Sequence, residues 1–416
     1  MSGLNVYFNS QIVGHLQQDK SGLLKFTYSE SWLKNPAAIP LSRSLPLQSG
    51  AFPGKQARPY FAGILPEQGP RRRIAEILGI SESNDYALLE RMGGDCAGAI
   101  SLLPVGHVQT DQGSSACRPL SESEWSRIVA ELPRNPLLAG TDGLRLSLAG
   151  AQDKVPVILE NQALCLPLEQ MPSTHILKPE PDRFPGLASN ETFCMMLARE
   201  MGLDVAEAVF LMIGDKACVL VKRYDRRVDE AGGIDKLHQE DFCQALGHPP
   251  EKKYQEEGGP TLSDCLSLLQ EWSTAPALDV PRFIRGLIFN VLIGNADAHA
   301  KNHALLYSSG ERRLAPLYDL VSTLVWPELS TRSAMRIGHS RSIDVFEMSD
   351  WMDMAKSSGL GWPMIRIRVA ESCAELLAKL DYVRRQARAL DAGMVERLAT
   401  LIRERAGRLQ KAFTSL

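Results

Sequence analysis

Apolar and polar positions along residues 4–28 fall into short strand-like runs. Leu4-Asn5-Val6-Tyr7-Phe8 and Gln11-Ile12-Val13-Gly14-His15-Leu16 flank an Asn9-Ser10 turn, and Leu23–Tyr28 supplies a third run. Two short helices are expected over 67–79 and 83–92, the first carrying Arg71, Arg72 and Arg73. Residues 105–120, rich in Gly, Ser, Gln and Pro, read as a loop. A helix starts near Ser121, where Ser121 caps and Glu124 completes a capping box. A second body begins near 144. There 155–159 and 163–166 form a hairpin, 174–178 is a strand ended by Pro179, and 209–213 and 217–221 pair across Gly214-Asp215. Between them, residues 190–201 have helical spacing, with Phe193, Met196, Leu197 and Met201 on one face. From about 235 the pattern turns helical, over 238–246, 261–272, 281–293 and 391–413, with a polar loop at 249–260. No period of self-similarity appears, which excludes a repeat array.

Strands first and helices after predict an α+β chain with a strand-rich half and a helical half. The expected boundaries are 1–143, 144–230 and 231–416. The length of 416 residues suits two or three domains. A net charge of −3 excludes a surface that attracts nucleic acid as a whole, so DNA contact would need a local basic patch. The eight cysteines form no C-x-x-C pair, so they read as reduced thiols of a cytoplasmic protein rather than a zinc ribbon. The N-terminus lacks the basic start and apolar core of a signal peptide, and no run approaches the roughly 20 apolar residues of a membrane span.

The chemistry concentrates in Gly294-Asn295-Ala296-Asp297-Ala298-His299-Ala300-Lys301-Asn302, followed by Asp319 in Leu317-Tyr318-Asp319-Leu320. An Asp-x-x-x-x-Asn loop with a downstream Asp is the layout of a protein-kinase active site. The first Asp accepts the proton of the attacking hydroxyl, and the Asn and second Asp hold magnesium against the phosphates. A strand-end lysine such as Lys178 is ordinarily solvated. Here Glu191, thirteen positions on and at the start of the next helix, offers the carboxylate that fixes a phosphate-binding lysine in kinases. Glu191 could equally offset a helix dipole. Ser147-Leu148-Ala149-Gly150-Ala151-Gln152-Asp153-Lys154 matches neither nucleotide fingerprint, but its small residues would let backbone N–H groups approach phosphate. Val221–Arg226 reads either as a charged edge-strand end or as the lobe crossing that presents backbone to adenine. Asp297, His299 and His303 raise a rival, a metal hydrolase, which lacks a compact third ligand and any H-E-x-x-H motif.

In order along the chain stand Gly93-Gly94-Asp95-Cys96-Ala97-Gly98-Ala99-Ile100, Leu146–Lys154, Ile176-Leu177-Lys178-Pro179, Asn190-Glu191, Arg223-Tyr224-Asp225-Arg226, His238–Gly247, Asn295–Asn302 and Tyr318-Asp319. With these motifs the chain resembles HipA-type serine/threonine protein kinases, the toxins of bacterial toxin–antitoxin pairs, over nearly its whole length. The resemblance implies a bilobal protein-kinase-like fold with an extra N-terminal subdomain and an all-helical C-terminal lobe. It implies ATP and Mg2+ as cofactors, Asp297 as catalytic base, and Asn302 and Asp319 as magnesium ligands. Ala149, Gly150, Ala151, Gln152, Asp153 and Lys154 would cover the phosphates and Lys178 would contact them. Lys222, Arg223 and Tyr224 would lie at the adenine crossing, acting through backbone, with Glu191, His299 and Lys301 in support. Ser147 matches the serine such kinases phosphorylate on themselves, which expels the phosphate loop. Implied partners are a HipB-type helix-turn-helix antitoxin, operator DNA through the complex, and a protein substrate such as an aminoacyl-tRNA synthetase, glutamyl-tRNA synthetase foremost. Ala298 departs from the Gly often found there. Arg384, Arg385, Arg388, Arg403, Arg405 and Arg408 form either a phosphate-facing stripe or, by preference, a solvated helix face. The alternative to an active kinase is a kinase-shaped co-repressor that holds an antitoxin on DNA with little phosphotransfer.

Overall fold

A computed structural model describes residues 3–107, 117–141, 143–168, 171–230 and 233–414. The chain folds into two compact units that interleave along the sequence. One comprises residues up to 181 with 212–251 and 306–310; the other comprises 182–211, 252–305 and 311–416.

In the first unit the expected N-terminal strands form at Gly3–Phe8, Gln11–Gln18 and Leu24–Tyr28, and Ile100–Pro104 adds to the opposite edge as a fourth. Gly14 is required here, since a Cβ would stand 2.4 Å from Thr27 O and 2.6 Å from the Phe26 ring. Phe26 anchors an aromatic core with Tyr28, Phe52 and Phe61, which are all buried. Helices Gly54–Ala62, Gln68–Leu78 and Asp85–Met92 follow, the first with Pro59 inside it. Helix Glu122–Glu131 begins at Ser121 with the capping box in place. Of the loop expected over 105–120, residues 108–116 lie outside the described residues, and Cys117–Pro119 is a short strand. That strand edges a second sheet, whose order continues through Ala163–Pro167, Val155–Glu160, His175–Pro179 and Lys216–Lys222.

The Gly94–Gly98 motif explains itself in this unit. Asp95 is buried and accepts from Arg226 at 2.8 Å, from Arg223 at 3.2 Å and from the Ser173 hydroxyl at 2.6 Å. Asp225, also buried, pairs with Arg223 at 2.9 Å and takes the Gly98 N–H at 2.7 Å. Burial opposes charge on both acids, yet the two guanidinium groups hold both carboxyls below their usual range. Gly94 packs where a Cβ would lie 2.6 Å from Arg145 O, and Gly98 has φ +78°.

Residues 238–246 depart from the helix expected there. His238–Asp241 is a strand with His238 and Glu240 buried, and Asp241 then caps the short helix Phe242–Leu246 in a capping box with Gln244. Period-two burial and a strong cap outweigh helical spacing over so few residues.

The second unit is dominated by helices Leu187–Glu200, Leu262–Trp272, Pro276–Ile293, Met348–Ser357, Trp362–Gln386 and Ala392–Thr414. Within 231–416 short strands also occur, among them Ala304–Ser308, Glu311–Leu314 and Arg332–Ile337, so this region is helical in the main but not all-helical. Pro276–Ile293 starts five residues before the expected position, with Pro276 in its first turn and Pro281 tolerated inside. Its C-terminal half is buried on every face and it ends at Gly294, φ +73°. Among the C-terminal arginines, Arg405 is buried and donates to Val291 O, Ile343 O and Asp344. Arg403 pairs with Asp381, and Arg384 with Glu396. A phosphate-facing stripe that includes Arg405 is therefore excluded.

Candidate active site

A buried, apolar helix ending in a left-handed glycine gives the following loop a fixed origin. Gly294 also approaches Leu324 so closely that a Cβ would lie 2.8 Å from its side chain. The next residues fold back through polar contacts. Asn295 donates to Asn290 Oδ1 at 2.8 Å, its own Oδ1 accepts the Asp297 N–H at 3.1 Å, and Thr323 Oγ1 accepts the Ala296 N–H at 2.9 Å. Asp297 is held by its backbone while its carboxylate is exposed to solvent. The Tyr254 hydroxyl donates to Asp297 Oδ1 at 2.8 Å.

Three residues on, a single 3-10 turn at Ala300–Asn302 brings Asn302 beneath the loop. Asn302 Oδ1 accepts the His299 N–H at 3.2 Å, and its Nδ2 lies 3.4 Å from Asp319 Oδ2. Asp319 adopts φ +54°, a left-handed conformation that costs a non-glycine residue about 1 kcal/mol. Such strain persists where surrounding structure imposes it. Here Tyr318 hydrogen-bonds Lys301 O at 2.6 Å, tying the two segments together. Asn302 and Asp319 thus converge, with Asp297 presented by the same loop. Carboxylate and amide oxygens are hard donors of the kind magnesium takes, and the remaining lone pair of Asn302 Oδ1 is the amide's contribution. The residues present fit that ion.

His299 is buried, and its ring packs edge-on to Tyr254 with centroids 5.4 Å apart. Burial, with Lys253 and Lys301 nearby, holds its imidazole well below the ordinary range, so it is neutral. His303 is buried against the Phe283 ring at 4.9 Å, and burial lowers it to about 4. Among the described residues no cluster of three His, Cys, Asp or Glu ligands forms around Asp297, which removes the basis for the metal hydrolase.

In the other unit, Lys178 is buried on a strand that pairs on one side with Val155–Glu160 and on the other, through Val219, with Lys216–Lys222. The segment before Val155 is shaped by Gly150, φ +114°, whose carbonyl takes the Glu67 N–H at 3.1 Å. Lys154 Nζ donates to Ala149 O at 2.6 Å, Asp153 pairs with Arg73 at 2.8 Å, and Gln152 reaches Pro179 O at 3.4 Å. Ala151 is exposed at the tip. Gln152 therefore brings this loop to the end of the strand that carries Lys178. Ser147 is fully buried, its hydroxyl donating to Ile64 O at 3.1 Å. Lys222 is exposed, and Arg223 N–H is already given to Thr174 O at 2.9 Å. The Arg223 side chain belongs to the buried ion cluster, which leaves its carbonyl as the group a ligand could use; Tyr224 hydroxyl donates to Gln239. Glu191 belongs to the helical unit, buried on helix Leu187–Glu200 beside Asn190, whose amide clasps the backbone of Ser322 at 2.9 Å in both directions. No motif or period in the sequence marks Tyr254.

A strained acid set against the amide of an Asp-x-x-x-x-Asn loop, in a chain of mixed sheets and helices, defines a kinase-like protein. The chain belongs to the HipA family: residues 146–383 match the HipA-like C-terminal domain and residues 4–103 the HipA N-terminal domain. It is 46% identical over 383 residues, 91% of each chain, to a putative kinase, Y4mE, of Sinorhizobium fredii. It is 28% identical over 401 residues, 91% of this chain and 90% of the relative, to the serine/threonine-protein kinase toxin HipA of Shewanella oneidensis. A solved complex of Shewanella oneidensis HipA, HipB and operator DNA contains a chain that superposes with a TM-score of 0.87 at 25% identity, covering 98% of this chain and 99% of that one.

Proposed function

We propose that the chain is a Mg-ATP-dependent serine/threonine protein kinase, acting in the cytoplasm as the toxin of a toxin–antitoxin pair. The approach of Asn302 to Asp319 at 3.4 Å, on a loop that presents Asp297, carries this reading. In it Asp297 accepts the proton of an acceptor hydroxyl as that oxygen bonds the γ-phosphorus and ADP departs. Asn302 and Asp319 hold Mg2+, which when bound neutralises phosphate charge. Lys178 and the Ala149–Lys154 loop bind the phosphates, and the backbone at Lys222–Tyr224 binds adenine. Glu191, His299 and Lys301 support these groups.

Ser147 is the proposed site of self-phosphorylation. Its hydroxyl is buried and bonded to Ile64 O, so a dianion there is incompatible with the present loop and would expel it, ending activity. The relatives named as a toxin kinase, and as its complex with HipB and operator DNA, support a helix-turn-helix antitoxin and DNA as partners. An aminoacyl-tRNA synthetase, with glutamyl-tRNA synthetase first, is the proposed substrate. Incubation of the purified chain with labelled ATP and Mg2+ should label Ser147, and Ser147→Ala should abolish that label. Absence of labelling, with wild type and Asp297→Ala alike, would leave the co-repressor role in its place.

A further inference from the structure

The edge of the second sheet carries a group of side chains that the kinase reading does not use. The register of Cys117–Pro119 against Ala163–Pro167 sets Cys117 opposite Pro167 and Pro119 opposite Cys165. The next strand sets Ile158 opposite Cys165 and Glu160 opposite Ala163. Residues opposite one another, or two apart on a strand, share a face of a sheet. Cys117, Cys165 and Glu160 therefore project to one side from three adjacent strands. Their ligand atoms all lie within 4.8 Å of one another, and Cys117 Sγ is 3.3 Å from Glu160 Oε2.

A small contraction of that spacing would admit a tetrahedral ion. Zinc–sulfur bonds of about 2.3 Å and zinc–oxygen bonds of about 2.0–2.2 Å place neighbouring ligands about 3.5 Å apart. In the absence of an ion the Cys117 thiol donates to the Glu160 carboxylate, a bond that metal binding would replace. Cys165 is buried, Cys117 half-buried and Glu160 exposed, which gives the site a sulfur floor and an entrance from solvent. No C-x-x-C spacing announces it, because sheet register rather than a local turn brings the ligands together.

We propose that Cys117, Cys165 and Glu160 form a site for one zinc-class divalent ion, with two thiolates and one carboxylate as ligands and the fourth position open to water. Binding displaces the two thiol protons to solvent. The ion clamps a three-residue edge strand, Cys117–Pro119, which otherwise depends on its pairing with a single neighbour and which leads directly into the helix capped by Ser121.

Cadmium titration of the reduced full-length protein tests this, through the ultraviolet charge-transfer absorption of cadmium–thiolate bonds. The expected result is a band that saturates at one ion per chain and is displaced by zinc. It should be absent in Cys117→Ser and Cys165→Ser and unchanged in Cys373→Ser, a buried cysteine elsewhere. Glu160→Gln should weaken binding by at least about tenfold, since loss even of an outer-shell partner costs 10–100-fold. Circular dichroism of each variant verifies folding. No band while all thiols titrate as reduced would overturn the proposal, as would a band that survives Cys117→Ser. So would a two-hydrogen mass loss on mild oxidation that Cys117→Ser prevents and zinc does not suppress, which would identify a disulfide pair instead.

Discussion

Asp297 carries the chemistry of the proposed reaction, and one residue that touches its carboxylate lies outside every motif. Tyr254 donates to Asp297 Oδ1 and stacks edge-on to His299, and Lys253 sits over its ring at 5.4 Å. Its segment is closed tightly: a Cβ on Gly259 would fall 2.4 Å from Lys252 O and 2.8 Å from Tyr254 O. The side chain is thus a fixed orienting group for the carboxylate. A hydrogen bond to a charged group contributes about 1.5–3 kcal/mol, so Tyr254→Phe should lower single-turnover phosphotransfer roughly ten- to a hundredfold with little change in KM for ATP. An unchanged or faster rate would mean that Tyr254 merely occupies the base in the resting enzyme. That Asn302 and Asp319 lie together, on the loop that presents Asp297, was legible in the sequence because the polar identities and their order form a motif that few other chemistries require. Tyr254 was not, because it lies 43 positions from its partner in a loop with no period to flag it.

At the scale of elements, legibility followed the strength of local signals. The Ser121 cap was read correctly because Ser and Glu three apart satisfy each other's backbone donors whatever surrounds them: Glu124 accepts the Ser121 N–H at 2.9 Å, and Ser121 Oγ accepts from Glu124 N–H at 3.3 Å. The same argument makes that helix separable by mutation. Ser121→Ala should cost about 1 kcal/mol, seen as roughly fivefold faster amide exchange across Glu122–Glu131 with little change elsewhere. Residues 238–241 were misread as helix because burial of His238 and Glu240 on a strand is imposed by distant neighbours: His238 Nε2 bonds Leu41 O at 2.8 Å. Pro281 marked a helix start that in fact lies at Pro276, since a proline in the first turns of a helix leaves few backbone bonds unmet.

At the scale of the whole molecule, the interleaving of the two units was not legible, because it depends on pairings between segments hundreds of residues apart. Glu240 exposes the consequence. It is fully enclosed in the first unit, where it accepts from Ser42 Oγ, 198 positions away, at 2.5 Å, from the Arg43 N–H at 3.1 Å and from the Tyr307 hydroxyl. Burial outweighs these donors and raises its carboxyl to about 7. A carboxyl that binds its proton more tightly when folded contributes stability in full below its unfolded pKa, about 4.5, and loses it as pH rises through about 7. Glutamine cannot ionise, yet it keeps an oxygen for the Arg43 N–H, and the Ser42 hydroxyl can turn to accept from its amide. The Tm of Glu240→Gln relative to wild type should therefore rise from about pH 5 to about pH 7 and level off above it. A Tm difference that stays constant across that range would mean that Glu240 remains ionised in the folded chain throughout, held so by its three donors.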